Sequence, residues 1–277
     1  MLVNSKKVLA DAKAGRYGIP APDYLDLDSA RVFVRTAEEL GKPLILSYPQ
    51  LEDATFPLEE AALVGKFMAE RVSVPVVLHL DHGEDVDFLR RSIDLGFTSV
   101  MIDASMDSFE ENVRKTREVV AYAREKNVTV EAEIGHVGHG ENLTDIAENE
   151  SVYTTVEEAK RFAELTGVDS LAVSIGTVHG IYKNLATPQL NFRRLAEIAA
   201  EVSVPLVLHG GSGSGDENLA RCCREGISKV NIFTDFLTGA MKRILAESPK
   251  NYPALKQTAN GAMAEVLRHY YKVFGTK

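Results

Sequence analysis

Apolar positions along the 277-residue chain gather into short unbroken runs, separated by longer stretches where they recur every three to four residues. The runs have the pattern of strands buried on both faces, and the stretches that of amphipathic helices. Eight runs stand out: YGIPAP (17–22), PLILSYP (43–49), PVVLHLD (75–81), SVMIDAS (99–105), TVEAEIG (129–135), SLAVSIG (170–176), PLVLHGG (205–211) and SKVNIFT (228–234). Between them, SARVFVRTAEELG (29–41) closes on a glycine, as helix C-termini often do. SFEENVRKTREVVAYAREKN (108–127) opens with Ser108 and has Glu111 three residues on, the signature of a capping box. TVEEAKRFAELTG (155–167) repeats it with Thr155 and Glu158, and NFRRLAEIAAEVS (191–203) continues the series.

Strand and helix alternating through eight units predict a parallel sheet with helices outside it. At this length the pattern fits an α/β fold, a (β/α)8 TIM barrel. The runner-up is a doubly wound open sheet, but no glycine-rich dinucleotide fingerprint follows the first strand. After residue 235 the chain has a helical stretch, a proline-marked break and a second helical stretch, which predict extra C-terminal helices. No linker or charge block divides the chain, so residues 1–277 are expected to form a single barrel domain.

Composition narrows the function. With 45% hydrophobic and 26% charged residues, the chain can bury a large core without staples. A net charge of -9 repels phosphate backbones and anionic lipids, which argues against nucleic-acid and membrane partners. A small phosphorylated ligand remains open, because it needs only a local patch of donors. The N-terminus lacks an apolar core and cleavage site of a signal peptide, and no apolar run approaches a membrane span. Cys222 and Cys223 are adjacent, closer than a relaxed disulfide allows. Both are expected to be reduced thiols, which fits a cytoplasmic location; a metal or redox pair is the alternative.

The ends of the predicted strands carry the candidate chemistry, and barrel sites lie at that face. His79, Asp81 and His82 end the third run, and Asp103 the fourth. Glu131 and Glu133 lie on the fifth, followed by His136, His139 and Glu141 in the glycine-rich GHVGHGEN. His179 follows the sixth, and His209 with a Gly-Ser turn ends the seventh. Asn231, Thr234 and Asp235 close the eighth. Six of the seven histidines sort to strand ends, and only His269 does not. Any one of them has a plain reading as a solvated or hydrogen-bonded residue. Three on converging strands, His82, His179 and His209, point to a metal site. Three imidazoles with an open fourth position describe catalytic zinc, able to polarise a carbonyl. Asp81 points into the site as a proton-transfer group, or else orients a ligand histidine. His79 is assigned a structural role. HGGSG (209–213) offers backbone N–H groups to an anion, or is simply a tight turn. GHVGHGEN is either a loop carrying Glu141 over a substrate or a plain flexible loop.

Taken in order and spacing, HLDHG, VEAEIG, GTVHGIY, LHGGSG and NIFTD resemble the class II, zinc-dependent ketose-bisphosphate aldolases, the fructose- and tagatose-bisphosphate enzymes. The resemblance covers nearly the whole chain and is strongest from about residue 75 to 235. It implies a (β/α)8 barrel, a homodimer or homotetramer, and reversible cleavage of a ketose phosphate to dihydroxyacetone phosphate and an aldehyde. It implies that His82, His179 and His209 bind zinc, with Asp103 and Glu133 at an alternative metal position. Asp81 would exchange the hydroxyl proton and Glu141 the proton on carbon. Gly180, Lys183, Gly210, Gly211, Ser212, Asn231 and Thr234 would hold the dihydroxyacetone phosphate end, helped by a monovalent cation, Na+ or K+.

The chain departs from the family pattern at IPAPDY, where Asp23 lies near the usual Asn. It departs again at LSYPQ around Ser47, at GHG in the loop, and at Phe233 in NIFTD. These bear on the aldehyde side. An extra Asp disfavours an anion nearby, so neither common hexose bisphosphate is expected to be the best substrate. Two other readings compete: a non-catalytic companion subunit of an aldolase, and a barrel zinc hydrolase. The first expects a lost histidine or carboxylate, and none is lost. The second often carries a His-x-His pair on its first strand, and the first run here has no histidine.

Overall fold

The structure, a computed structural model, describes residues 1–135, 153–177 and 188–277. All eight apolar runs form strands: β2 (Ile19–Pro22), β3 (Leu44–Pro49), β4 (Val76–Gly83), β5 (Ser99–Ile102), β6 (Thr129–Ile134), β7 (Ser170–Val173), β8 (Leu206–Leu208) and β9 (Ile227–Ile232). From β3 to β9 each pairs in parallel with the next, and β9 returns to β2. A single parallel bridge, Asp23 to Ser47, crosses the last gap between β2 and β3. The result is the expected (β/α)8 barrel.

Helices α2 (Leu27–Leu40), α3 (Leu58–Ala69), α4 (Val86–Leu95), α5 (Phe109–Glu125), α6 (Val156–Thr166), α7 (Phe192–Glu201) and α8 (Asp216–Glu225) cover the outside. Cys222 and Cys223 are buried free thiols in α8. Two C-terminal helices follow, α9 (Thr234–Glu247) and α10 (Tyr252–Val273), separated by a left-handed Ser248. No described helix is long and apolar enough to cross a membrane.

Several boundaries differ from the sequence pattern, each for a local reason. Helix α2 starts before Ser29, because Asp26 is its N-cap and Ser29 completes a reciprocal capping box. At Ser108 and Thr155 the hydroxyl accepts the expected N3 amide. The Glu111 carboxylate, however, turns to Arg114, and Glu158 takes the Thr155 hydroxyl. Strand β7 stops at Val173 because its next groups bond to chain outside the sheet. The Ser174 amide donates to Thr154 Oγ1, and the Ile175 carbonyl accepts from the Asn191 amide.

The N-terminal segment, an amphipathic mix in sequence, adds β1 (Leu2–Val3) and α1 (Ser5–Gly15). β1 pairs with Val76 and Val77, below the level at which β5 joins β4. Helix α1 seats Val8, Leu9 and Ala12 against Ile19, Ala21, Ile45 and Val77, plugging the N-terminal mouth.

Alternation along the strands sorts the rest. On β4, Val76, Leu78 and Leu80 join the large core between barrel and helices. Val77, His79 and Asp81 face inward. On β9, Val230 and Ile232 face outward, Lys229 and Asn231 inward. Above the apolar plug the barrel interior is therefore polar. At its centre the Lys229 ammonium, 1% exposed, donates to both oxygens of Glu131 at 2.9 and 2.8 Å and to His79 Nε2 at 2.9 Å. Breaking such a pair strands a charge in the interior. Lys229→Met is expected to cost about 3–5 kcal/mol of stability, and Lys229→Met combined with Glu131→Leu substantially less. Urea unfolding of both variants checks this; equal losses would show that the pair does not act as a unit.

Candidate metal and active site

Asp81 and His82 are neighbours on β4, so a regular strand would point them to opposite faces. The structure overrides this. The β4–β5 register shifts between Leu80 and Gly83, and His82 takes a left-handed φ of 46°. Such a conformation is costly for a non-glycine residue and clusters at functional sites. The bulge re-aims the imidazole and brings His82 Nε2 to 3.9 Å from Asp81 Oδ2. Gly83 follows because a Cβ there would meet the Met101 carbonyl at 2.8 Å and Leu89 Cγ at 2.9 Å.

His82 and His209 converge. His82 Nε2 lies 2.9 Å from His209 Nδ1, with their rings 4.6 Å apart at 77°. Each outer nitrogen meets a carboxylate: His82 Nδ1 at 2.8 Å from Asp103 Oδ2, and His209 Nε2 at 2.9 Å from Glu131 Oε1. Each carboxylate orients its ring and leaves the inner nitrogen facing a shared point, where a metal would take the place of the proton between them. Asp103 is held in turn by the Ser105 hydroxyl and amide, at 2.7 and 3.1 Å. The ligand atoms of Asp81, His82 and His209 lie close enough to hold one ion, and those of His82, Asp103 and Glu133 form an adjoining group. The donor set fits a divalent transition metal.

Electrostatics divides the histidines into neutral and charged ones. Burial keeps His209 and His79 below the ordinary imidazole range, so they are neutral ligands or acceptors at neutral pH. Burial also opposes charge on His82, but Asp81 and the Asp103 hydrogen bond outweigh it and raise it to about 10. For Glu131, burial is outweighed by Lys229 and by the His209 hydrogen bond, bringing the carboxyl to about 2. Asp81 is held well below the carboxylate range despite its burial, by His82, His79, His209 and Lys229. Asn231 Nδ2 donates to both Asp81 oxygens at 2.9 Å and fixes the carboxylate plane.

Asp23 and Ser47 face each other at the interior rim, and Phe233 is half-buried just before α9. Ser212 Oγ accepts from the Phe233 and Asp235 amides, at 3.2 and 3.3 Å. The Gly213 amide donates to Asp235 Oδ2 at 3.3 Å, and Tyr270 of α10 donates its hydroxyl to the same oxygen. The turn expected to hold phosphate is thus bonded to the start of α9. Gly210 has φ 66°, and a Cβ on Gly211 would meet Ile232, Val230 and the Asn231 carbonyl within 2.8 Å. His179, Glu141, Gly180 and Lys183, with His136 and His139, lie outside the described residues.

The structure adds one residue absent from the sequence candidates, Lys229, and gives Glu131 a role behind His209. Both were legible in principle. Each sits two residues before an inward polar position on its strand, Asn231 and Glu133. His79 meets its structural expectation: Nδ1 lies 2.9 Å from Ser99 Oγ, and Nε2 accepts from Lys229.

Residues 3–277 match the family model described as fructose-bisphosphate aldolase class-II. Among solved structures, the chain is similar to the YdjI aldolase from Escherichia coli K12. The identity is 32%, the TM-score 0.90, and 100% of this chain and 98% of that one are covered. It is similar to a candidate fructose-1,6-bisphosphate aldolase from Coccidioides immitis at 30% identity and TM-score 0.87, covering 97% and 95%. A fructose-bisphosphate aldolase from Campylobacter jejuni shares the fold, at 22% identity and TM-score 0.82, covering 99% of this chain and 95% of that one.

The carboxylates behind the imidazoles yield a direct expectation. Asp103→Asn and Glu131→Gln should each weaken divalent-metal affinity by about 10–100-fold, measured by competition with a chromogenic chelator. Unchanged affinity in both would remove their orienting role.

Proposed function

The chain belongs to the class-II fructose-bisphosphate aldolase family, and from that premise we propose that it cleaves a ketose phosphate reversibly to dihydroxyacetone phosphate and an aldehyde, using zinc. The observation that carries this reading is the convergence of His82 Nε2 and His209 Nδ1, 2.9 Å apart and beside the Asp81 carboxylate.

In this reading His82, His209 and His179 hold the metal. When bound, it supplies Lewis acidity that polarises the ketone and offsets the negative charge developing on its oxygen. Asp81 is ionised and held in plane by Asn231, so it is ready to take the proton from the hydroxyl that becomes the aldehyde oxygen. As that proton leaves, the carbon–carbon bond breaks and its electron pair moves toward the ketone as an enediolate. Glu141 returns a proton to carbon. Thr234 at the start of α9 and Ser212 on the turn bonded to it, with Gly180, Lys183, Gly210 and Gly211, receive the phosphate. A helix N-terminus favours an anion there. A monovalent cation, Na+ or K+, belongs to the same reading.

His82, His209 and Asp81 are all retained and lie close together, which supports an active enzyme over a companion subunit. The homodimer or homotetramer and the cytoplasmic location are part of the proposal; the buried thiols Cys222 and Cys223 fit the latter.

Two measurements test the chemistry. Dihydroxyacetone phosphate should exchange a carbon-bound proton in deuterated water without any aldehyde, followed by NMR, and a chelator should abolish the exchange. Absence of exchange by metal-loaded protein would sink the reading. Asp81→Ala should lower cleavage by about 10²–10⁴-fold while reducing this exchange far less, because Asp81 serves the other half of the substrate.

A further inference from the structure

At the barrel mouth, β2 and β3 meet only through Asp23 and Ser47. Both side chains face inward, in phase with Ala21 and Ile45 of the interior plug. Asp23 is 7% exposed and Ser47 fully buried. Neither Asp23 Oδ1 nor Ser47 Oγ has a hydrogen-bond partner among the described residues. Buried polar atoms are rarely left this way. Two of them side by side, in the wall that also carries Asp81, mark a place for the polar atoms of a ligand.

The chemistry of the pair decides what it takes. A carboxylate accepts hydrogen bonds and a serine hydroxyl both donates and accepts. A hydroxyl group satisfies both. Burial and the Asp81 charge raise the proton affinity of Asp23, and a hydroxyl suits a carboxyl with or without its proton. A phosphate does not. It would bring a dianion toward the ionised Asp81 and toward an Asp23 that could then not ionise, in a buried wall where like charges repel. The cations that act on Asp23 are already paired: His82 with Asp103 and Asp81, and Lys229 with Glu131 and His79.

The phosphate of the dihydroxyacetone half goes to the start of α9 in the reading above, so the group beside Asp23 belongs to the other half. Resting on that reading, we propose that Asp23 and Ser47 form the aldehyde subsite and select an unphosphorylated hydroxyaldehyde. The preferred substrate is then a ketose monophosphate, and Asp23 is the specificity-determining residue.

The test is condensation of dihydroxyacetone phosphate by the metal-loaded full chain. Each enantiomer of glyceraldehyde is compared with its 3-phosphate as kcat/KM. The wild type should favour an unphosphorylated aldehyde by at least about tenfold, and Asp23→Asn should shift the ratio toward the phosphorylated one by about tenfold or more. A wild-type preference for the phosphorylated aldehyde, or a ratio that Asp23→Asn leaves unmoved, overturns the proposal. Should Asp23→Asn fail to fold, the wild-type ratio alone decides. Proton exchange from dihydroxyacetone phosphate separates the two levels. Without exchange the aldolase reading fails; with exchange and a preference for the phosphorylated aldehyde, only the subsite fails.

Discussion

One cation, the Lys229 ammonium, sits buried at the centre of the barrel, and the polar interior is arranged around it. An ammonium has only donors to offer, so everything it touches must accept. Glu131 accepts with both oxygens, and His79 accepts with Nε2. That leaves His79 Nδ1–H to donate to Ser99. It also leaves Glu131 charged and able to accept a hydrogen bond from His209 Nε2–H, which turns His209 Nδ1 toward His82. The orientation of one imidazole is thus set from within the barrel, by a charge pair buried to 1% exposure. Such pairs are weak evidence for stability. Here the pair specifies geometry instead.

The second constraint is local. Asp81 and His82 serve one site from consecutive positions only because the strand bulges and His82 adopts a left-handed backbone. Strain of this kind persists when surrounding structure over-determines it. Asp103 holds the ring from one side, Asn231 fixes the neighbouring carboxylate, and Gly83 lets the next strand approach.

The C-terminal helices have a function beyond covering the barrel. Tyr270 of α10 reaches Asp235 at the start of α9, and Asp235 holds the Gly213 amide. Ser212 accepts from the same turn. The glycine-rich turn after β8 is therefore tied through side chains to the end of the chain, some 60 residues away in sequence.

The eight strands, the barrel and the strand ends that carry His82 and His209 are already written in the chain. Those follow from period-two and period-3.6 patterning and from where apolar runs stop, which are local properties. It also gave Asp81, His82 and His209 as candidates, because ionisable groups ending buried runs need a reason to be there. Tertiary structure decided what each group touches. No local pattern says that Lys229 lies under Glu131, 98 residues earlier, or that Asp103 backs His82 rather than standing apart. The bulge at His82 depends on the register of β5, and the exposed-looking N-terminal mixture becomes a barrel plug only once Ile19, Ile45 and Val77 are brought together. Contacts between distant strands carry no signature in a single chain, because burial and charge pairing are settled by closure of the barrel and not by neighbours in sequence.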